Sequence, residues 1–376
     1  MSGLYKFAVI GGSQAYDLLS RGAIQGKRLG ERKTPFGPSQ PIYLLAVDIP
    51  KEETEGAYKI PSPLPALSEA EGMREGRVGV NPPPPTQKMA GFQPTPSRQG
   101  RGIFKVEFFF LSRHGERGYE VSAPFVNYRA NIYALKDMGV NKILAWSGPG
   151  AINPRYKVGQ FVVVDDLIDE TWNRESTFFE KGGLGFIRQN PVFCPSLRNL
   201  MVEVLKGQGL NFSDKGVYVC TQGPRLETPA EIKKFASYGG DLVGMTLVPE
   251  VFLARELEMC YAALCYVSNY AEGVVKSGVA PPPFKAGELF EGLSSQEDKV
   301  AVAQAVSQFP AIIQEIARRL HMESSDIVAG AVAPPGISKT PLTQSTDSIK
   351  CPCQSSMERY RREGRIGEDW RKWIKR

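Results

Sequence analysis

A chain of 376 residues, 42% hydrophobic and 23% charged, carries enough apolar material for a sizeable core. Lysine and arginine exceed aspartate and glutamate by 46 to 40. Several of the extra cations (Arg359, Arg361, Arg362, Arg365, Arg371, Lys372, Lys375, Arg376) crowd near the C-terminus, so the excess argues little for nucleic-acid binding. No apolar run approaches the ~18 residues that span a bilayer, and Met1 to Lys6 lacks the charged-then-apolar form of a signal peptide, so a cytoplasmic protein without membrane contact is expected.

Phe7 to Ile10 predicts a short strand that runs into Gly11-Gly12-Ser13. Glycine lets backbone N–H groups approach an anion, so this turn reads either as a phosphate cradle or simply as a tight turn. From residue 51 to 102 proline and glycine clusters such as Pro82 to Pro85 erase any periodicity, which predicts a low-complexity, disordered insertion between two strands. Phe104 to Leu111 then predicts an aromatic-rich strand ending at Ser112-Arg113-His114-Gly115.

Asn127 to Met138 has helical composition and stops at Gly139, a natural residue just past a helix end. Lys142 to Trp146 predicts a strand opening into Ser147-Gly148-Pro149, and Gln160 to Val164 another. Leu197, Leu200, Met201, Val204 and Leu205 keep the spacing of an amphipathic helix, ended by Gly207 and Gly209. Gly216 to Cys220 leads as a strand to Thr221-Gln222-Gly223-Pro224-Arg225-Leu226-Glu227, and Thr228-Pro229-Ala230-Glu231 starts a helix with a capping box.

The stretch from Asp241 to Gly273 holds two apolar runs that each deliver a polar cluster, Met245-Thr246 and Ser268-Asn269, at a C-terminal end. Open α/β sheets place ligands at such strand ends. A last helix is expected from about Gln296 to Leu320, and after Met322 a polar, basic, poorly packed tail. Strands alternating with helices imply one α/β domain, made of 1–50 and 103–322, with 51–102 inserted and 323–376 as the tail.

Arg113 and His114 emerge together at a strand end. A guanidinium fork beside an imidazole donor suits an oxyanion, though the pair alone reads equally as surface decoration. Ser13, Ser147, Gly148 and Thr246 would complete a phosphate site if they converge, since hydroxyls and backbone amides bind phosphate without a metal. Glu227 and Asn269 would complement a heterocycle, the carboxylate accepting from a ring N–H and the amide both donating and accepting.

Six cysteines in so long a chain do not suggest a disulfide scaffold. Cys194, Cys220, Cys260 and Cys265 read as ordinary buried thiols. Cys351-Pro352-Cys353 places two thiols one residue apart, but a metal would need two more ligands; the chain has only His114 and His321, and no metal is expected.

Taken in order, Ile10-Gly11-Gly12-Ser13, Thr34-Pro35-Phe36-Gly37, Arg113-His114-Gly115, Val126-Asn127-Tyr128-Arg129-Ala130-Asn131, Gln222-Gly223-Pro224-Arg225 and Met245-Thr246-Leu247-Val248-Pro249-Glu250 resemble the trimeric purine nucleoside phosphorylase and methylthioadenosine phosphorylase family. The resemblance implies a single-domain α/β fold with a mixed, barrel-like central sheet flanked by helices, and a homotrimer or dimer of trimers. It implies reversible phosphorolysis of a purine nucleoside to free base and pentose 1-phosphate, with phosphate as co-substrate and no cofactor. Ser13, Arg113, His114, Ser147, Gly148 and Thr246 match its phosphate positions, and Met245 its sugar contact. Phe186 matches an aromatic lent by a neighbouring subunit. Asn269, with Arg113 and His114, would carry the catalysis.

The methylthioadenosine branch has aspartate where this chain has Asn269 and Ala271. Asn269 paired with Glu227, with Tyr270 and Ala271 beside it, is instead similar to relatives that use 6-oxopurines, which implies inosine, guanosine or S-methyl-5'-thioinosine as substrate. Methylthioadenosine phosphorolysis, a nucleoside-binding protein without catalysis, and RNA contact through the basic tail are the alternatives.

Overall fold

The computed structural model describes residues 6–12, 26–50, 103–116, 119–274, 295–329 and 351–374. Its strands, in chain order, are β1 (Lys6–Gly11), β2 (Gly26–Gly30), β3 (Lys33–Thr34), β4 (Gly37–Pro38), β5 (Ile42–Pro50), β6 (Ile103–Ser112), β7 (Val140–Ser147), β8 (Gly150–Ala151), β9 (Phe161–Val163), β10 (Asp166–Glu170), β11 (Phe212–Ser213), β12 (Val217–Thr221), β13 (Leu242–Gly244), β14 (Cys260–Tyr266) and β15 (Asn269–Tyr270). The main helices are Tyr128–Asp137, Pro195–Gly207, Pro229–Ser237, Glu250–Glu256 and Gln296–Ala329.

The fold is the expected mixed α/β, with its strands divided between two sheets. The large sheet runs β11-β9-β14-β7-β1-β6-β5-β2 and the small one β10-β12-β13-β8-β15. Among the described residues neither closes into a barrel. The physical reason is a change of sheet at two neighbouring points. The chain leaves β7 of the large sheet through Gly148-Pro149 and enters β8 of the small one; it leaves β14 through Val267-Ser268 and enters β15. Ser268 ties the crossings together, its N–H donating to the Pro149 carbonyl at 2.9 Å while its Oγ lies 3.0 Å from the Gly148 carbonyl oxygen.

Helices cover both faces of the large sheet, so its central strands bury side chains in both directions. On β1, Ala8 and Ile10 enter a core shared with the Tyr128–Asp137 and Glu250–Glu256 helices. Phe7 and Val9 enter the opposite core, with Leu197, Leu200, Met201, Val204 and Leu205 of the Pro195–Gly207 helix and Phe309, Ile312 and Ile316 of the long helix. Each of these side chains larger than alanine contributes roughly 1.5–3 kcal/mol when fully buried.

Local signals act as the residue types dictate. Asn127 caps its helix by accepting from Ala130 N–H at 3.1 Å, Gly139 takes φ +85°, and Thr228 and Glu231 form both arms of the capping box. The long helix runs on to Ala329, past the expected end near Leu320. β5 and β6 are antiparallel, with Pro50 opposite Ile103, so 51–102 departs and returns at one sheet end. The expected disorder of 51–102 lies outside the described residues.

The expectation of a poorly packed tail is overturned for 351–374. Cys353, Met357, Tyr360 and Trp373 are buried against the domain. Ser356 Oγ donates to the Arg255 carbonyl at 2.5 Å, Met357 N–H to Glu258 at 3.1 Å, and Arg361 pairs with Glu258. Arg365 donates to the Gly182 carbonyl at 2.7 Å, and Arg371 pairs with Asp137 at 2.5 Å. Apolar side chains spaced among these charges fasten the segment, and three of its arginines are thereby engaged with the domain.

Candidate active site

The site grows from the two crossings. Ser147 ends β7 and Thr246 follows β13, and the structure brings their hydroxyls to 3.0 Å. The phenol of Tyr218, wholly buried on β12, stands 3.3 Å from each and also accepts from Thr246 N–H at 3.4 Å. Burial pushes Tyr218 far above its ordinary range, so it stays a neutral hydroxyl that orients the other two. Leu247, buried at φ +75°, holds a left-handed turn directly after Thr246. Such strain is characteristic of functional turns.

Gly148 lies beside them. A Cβ there would come within 2.4 Å of the Tyr266 hydroxyl, so the position is closed to side chains. Ser13 lies outside the described residues.

Arg113 is placed differently from the expectation of a free anion fork. It is wholly buried, with Nε and Nη2 donating to the Glu250 carboxylate at 2.5 and 2.9 Å, and Nη1 is not part of that pair. Tyr261 OH adds a third bond to Glu250 at 2.7 Å. Burial opposes the guanidinium charge, but the attraction of Glu250 more than offsets it and holds the pKa above its ordinary value.

His114 is buried, with Nδ1 2.8 Å from the Val121 carbonyl. Burial, then the Arg113 charge, lowers its pKa from the ordinary 6.5 to about 4, so the imidazole is neutral at neutral pH. Since a carbonyl can only accept, Nδ1 carries the proton and Nε2 is an acceptor. The ring is therefore not the donor expected from the sequence: in this tautomer Nε2 would accept a hydrogen bond from a proton-bearing phosphate oxygen.

A pH dependence of stability follows. Between about pH 6.5 and 4 the unfolded imidazole binds a proton that the folded one refuses, so stability falls as pH drops through that window. The slope should reach roughly 1.4 kcal/mol per pH unit at most. Urea midpoints measured across the window should show a shallower fall in His114→Gln; identical slopes would refute the buried neutral ring.

On the base side, Glu227 is partly buried and accepts from Thr221 Oγ1 at 2.5 Å. Burial raises its pKa, and the Thr221 bond pulls the other way. Asn269 is buried; its Oδ1 accepts from Ser268 Oγ at 2.6 Å and its Nδ2 donates to the Tyr270 carbonyl at 2.8 Å. One amide hydrogen and further acceptor capacity remain beyond these two bonds. Tyr270 and Ala271 are buried beside it, and Ala271 N–H donates to the Ala151 carbonyl at 2.9 Å. A Cβ on Gly273 would lie 3.0 Å from Pro229 Cβ, so the loop after Asn269 packs on the helix that begins just past Glu227. Met245 packs against Gly223, where a Cβ would meet its sulfur at 2.5 Å. Phe186 stands apart, 77% exposed, its N–H donating to Tyr360 OH at 3.0 Å.

Sequence reasoning missed Arg174. Nη1 donates to the Met245 and Val248 carbonyls at 2.9 and 2.6 Å, and Nη2 to those of Thr221 and Gln222 at 3.0 and 2.7 Å. One guanidinium thus fixes the loops after β12 and β13. Tyr218 and Glu250 were missed too, for neither carries a local signal.

The family model of the phosphorylase superfamily matches residues 98–316. The chain belongs to the phosphorylase superfamily. The chain is 43% identical over 203 residues, 53% of this chain, to a probable 6-oxopurine nucleoside phosphorylase of Dictyoglomus turgidum, 74% of which is covered. It is also 43% identical over 194 residues to a probable S-methyl-5'-thioinosine phosphorylase of Methanocaldococcus jannaschii, covering 52% of this chain and 74% of that one. Among solved structures, an adenosine/methylthioadenosine phosphorylase of Schistosoma mansoni in complex with adenine is similar in fold, with TM-score 0.57 and 23% identity over 85% of this chain and 91% of that one. β1 lies outside the span matched by the superfamily model, yet it is the strand between β6 and β7.

Proposed function

We propose that the chain catalyses phosphate-dependent, reversible cleavage of 6-oxopurine nucleosides, inosine, guanosine or S-methyl-5'-thioinosine, to free base and ribose or methylthioribose 1-phosphate. The observation that carries this reading is the buried Asn269 amide, fixed by Ser268 and Tyr270 with donor and acceptor capacity to spare. The names of the Dictyoglomus and Methanocaldococcus relatives support it.

In this reading phosphate sits against Ser147, Thr246, Gly148 N–H and His114 Nε2, with Ser13 and Arg113 Nη1 completing the cradle. Met245 lies under the sugar. Glu227 accepts N1–H of the base, and the remaining Asn269 amide hydrogen donates toward O6 and N7. The glycosidic bond breaks ahead of full phosphate bonding, so the sugar becomes oxocarbenium-like. Phosphate then stabilises the positive sugar while Asn269 stabilises negative charge gathering on the purine, and preorganised dipoles of this kind usually supply the largest catalytic contribution. No cofactor takes part. Exposed Phe186 would reach a neighbouring subunit's site in a homotrimer or dimer of trimers. The chain works in the cytoplasm; among the described residues no helix is long and apolar enough to cross a membrane.

Base release from inosine, S-methyl-5'-thioinosine and S-methyl-5'-thioadenosine, each with and without phosphate, is the direct test. The 6-oxo substrates should lead by about a hundredfold or more in kcat/KM, since a 6-amino group leaves buried polar atoms unpaired. Preference for methylthioadenosine would reverse the substrate assignment. Tight nucleoside binding without phosphate-dependent release would make the protein a binding module.

A further inference from the structure

Cys351 and Cys353, two residues apart in the C-terminal segment, are joined in space by Cys194 and Cys260. The four sulfurs all lie within 4.8 Å of one another, with Cys194 and Cys351 at 3.5 Å. Three separate parts of the chain supply them: Cys194 caps the Pro195–Gly207 helix, Cys260 opens β14, and Cys351 and Cys353 flank Pro352. A backbone bond from Cys194 N–H to the Tyr261 carbonyl, 2.8 Å, sets the first two side by side. Cys194, Cys260 and Cys353 are buried, and all six cysteines of the chain are free thiols.

We propose that these four cysteines form a tetrathiolate zinc site that fastens the C-terminal segment to the domain. Zinc takes four thiolates tetrahedrally at about 2.3 Å, which requires sulfurs about 3.8 Å apart; with one pair at 3.5 Å and none beyond 4.8 Å, shifts of about an ångström or less reach that figure. The two ligands that the sequence appeared to lack are thus Cys194 and Cys260, read there as ordinary buried thiols.

The surroundings suit a structural ion better than a catalytic one. The cluster lies in the core on the face of the large sheet that carries the long helix, and a closed set of four protein ligands leaves no position for substrate. Cys194 stands at the positive end of a 13-residue helix, where thiolate is favoured. Binding converts the four thiols to thiolates, four Zn–S bonds forming as four protons leave to solvent, so affinity weakens as pH falls. Beyond the ion, the segment's bonds to Arg255 and Glu258 and the Tyr360 bond to Phe186 N–H continue the attachment.

The inference is independent of the substrate reading, and elemental analysis tests it without an activity assay. Full-length protein purified under reducing conditions should hold about one zinc per chain, and the Cys351→Ser/Cys353→Ser double variant almost none. Wild-type protein stripped with a chelator should lose several degrees of melting temperature and become cleavable in 351–374; added zinc should restore both. Should the variant not fold, cobalt(II) added to stripped wild-type protein gives the intense thiolate-to-metal absorption of a tetrahedral site. Absence of zinc together with failure of the stripped protein to take up zinc or cobalt would overturn the proposal. So would an intact mass showing the four cysteines paired as disulfides under those conditions.

Discussion

Asn269→Ala is expected to lower kcat about a hundredfold or more while the Michaelis constant changes little, the pattern of an interaction realised mainly in the transition state. The amide is pinned by two bonds before any substrate arrives, so little reorganisation is needed as charge builds on the purine. Asn269→Asp makes the complementary point. A carboxylate cannot donate to O6 but can accept from a 6-amino group, so the ratio of inosine to adenosine turnover should fall steeply. Unchanged turnover in the alanine variant would remove Asn269 from catalysis, and an unchanged ratio in the aspartate variant would remove it from base selection.

The second large effect concerns the buried pair of Arg113 and Glu250. Glu250→Gln keeps the shape but leaves a guanidinium uncompensated in the core, a change that costs roughly 3–5 kcal/mol in comparable buried pairs. Removing both charges together, as Arg113→Met/Glu250→Leu, should recover most of that stability, because apolar replacements of a buried pair are often neutral. Phosphorolysis should not return with it if Arg113 Nη1 meets phosphate. Chemical denaturation and activity measured on both proteins separate the roles. Loss of less than about 1 kcal/mol in the single variant would mean that solvent reaches the pair, and an active double variant would free Arg113 of any phosphate role.

Much of the site was legible because strand ends advertise themselves. An apolar run followed by Ser147-Gly148, or by Met245-Thr246, states where polar side chains leave a sheet, and the glycine contacts at 148 and 223 show why those residues are small. The helix of Leu197 to Leu205 and the Thr228 cap were equally plain, because their signals lie within one or two turns. What stayed hidden depends on pairs distant in sequence. Glu250 meets Arg113 across 137 residues and Cys194 meets Cys351 across 157, and no local pattern encodes either meeting. Arg174 acts through carbonyl oxygens, which every residue has. The C-terminal segment spaces Met357, Tyr360 and Trp373 among charges too irregularly for helical or strand periodicity, so burial there became visible only in three dimensions. The division into two sheets was equally opaque, since β8 and β15 are two residues each and too short to show alternation.

The register that sets Pro50 opposite Ile103 means that 51–102 bridges two backbone ends already held together by the sheet. Closing a longer bridge between fixed ends is cheap: each doubling adds about 0.6 kcal/mol, so growth from a turn of about four residues to the present span costs roughly 2 kcal/mol. That position is a natural graft point, where foreign sequence can be exchanged or a reporter carried while the crossings at Gly148 and Ser268, built from other strands, keep their geometry.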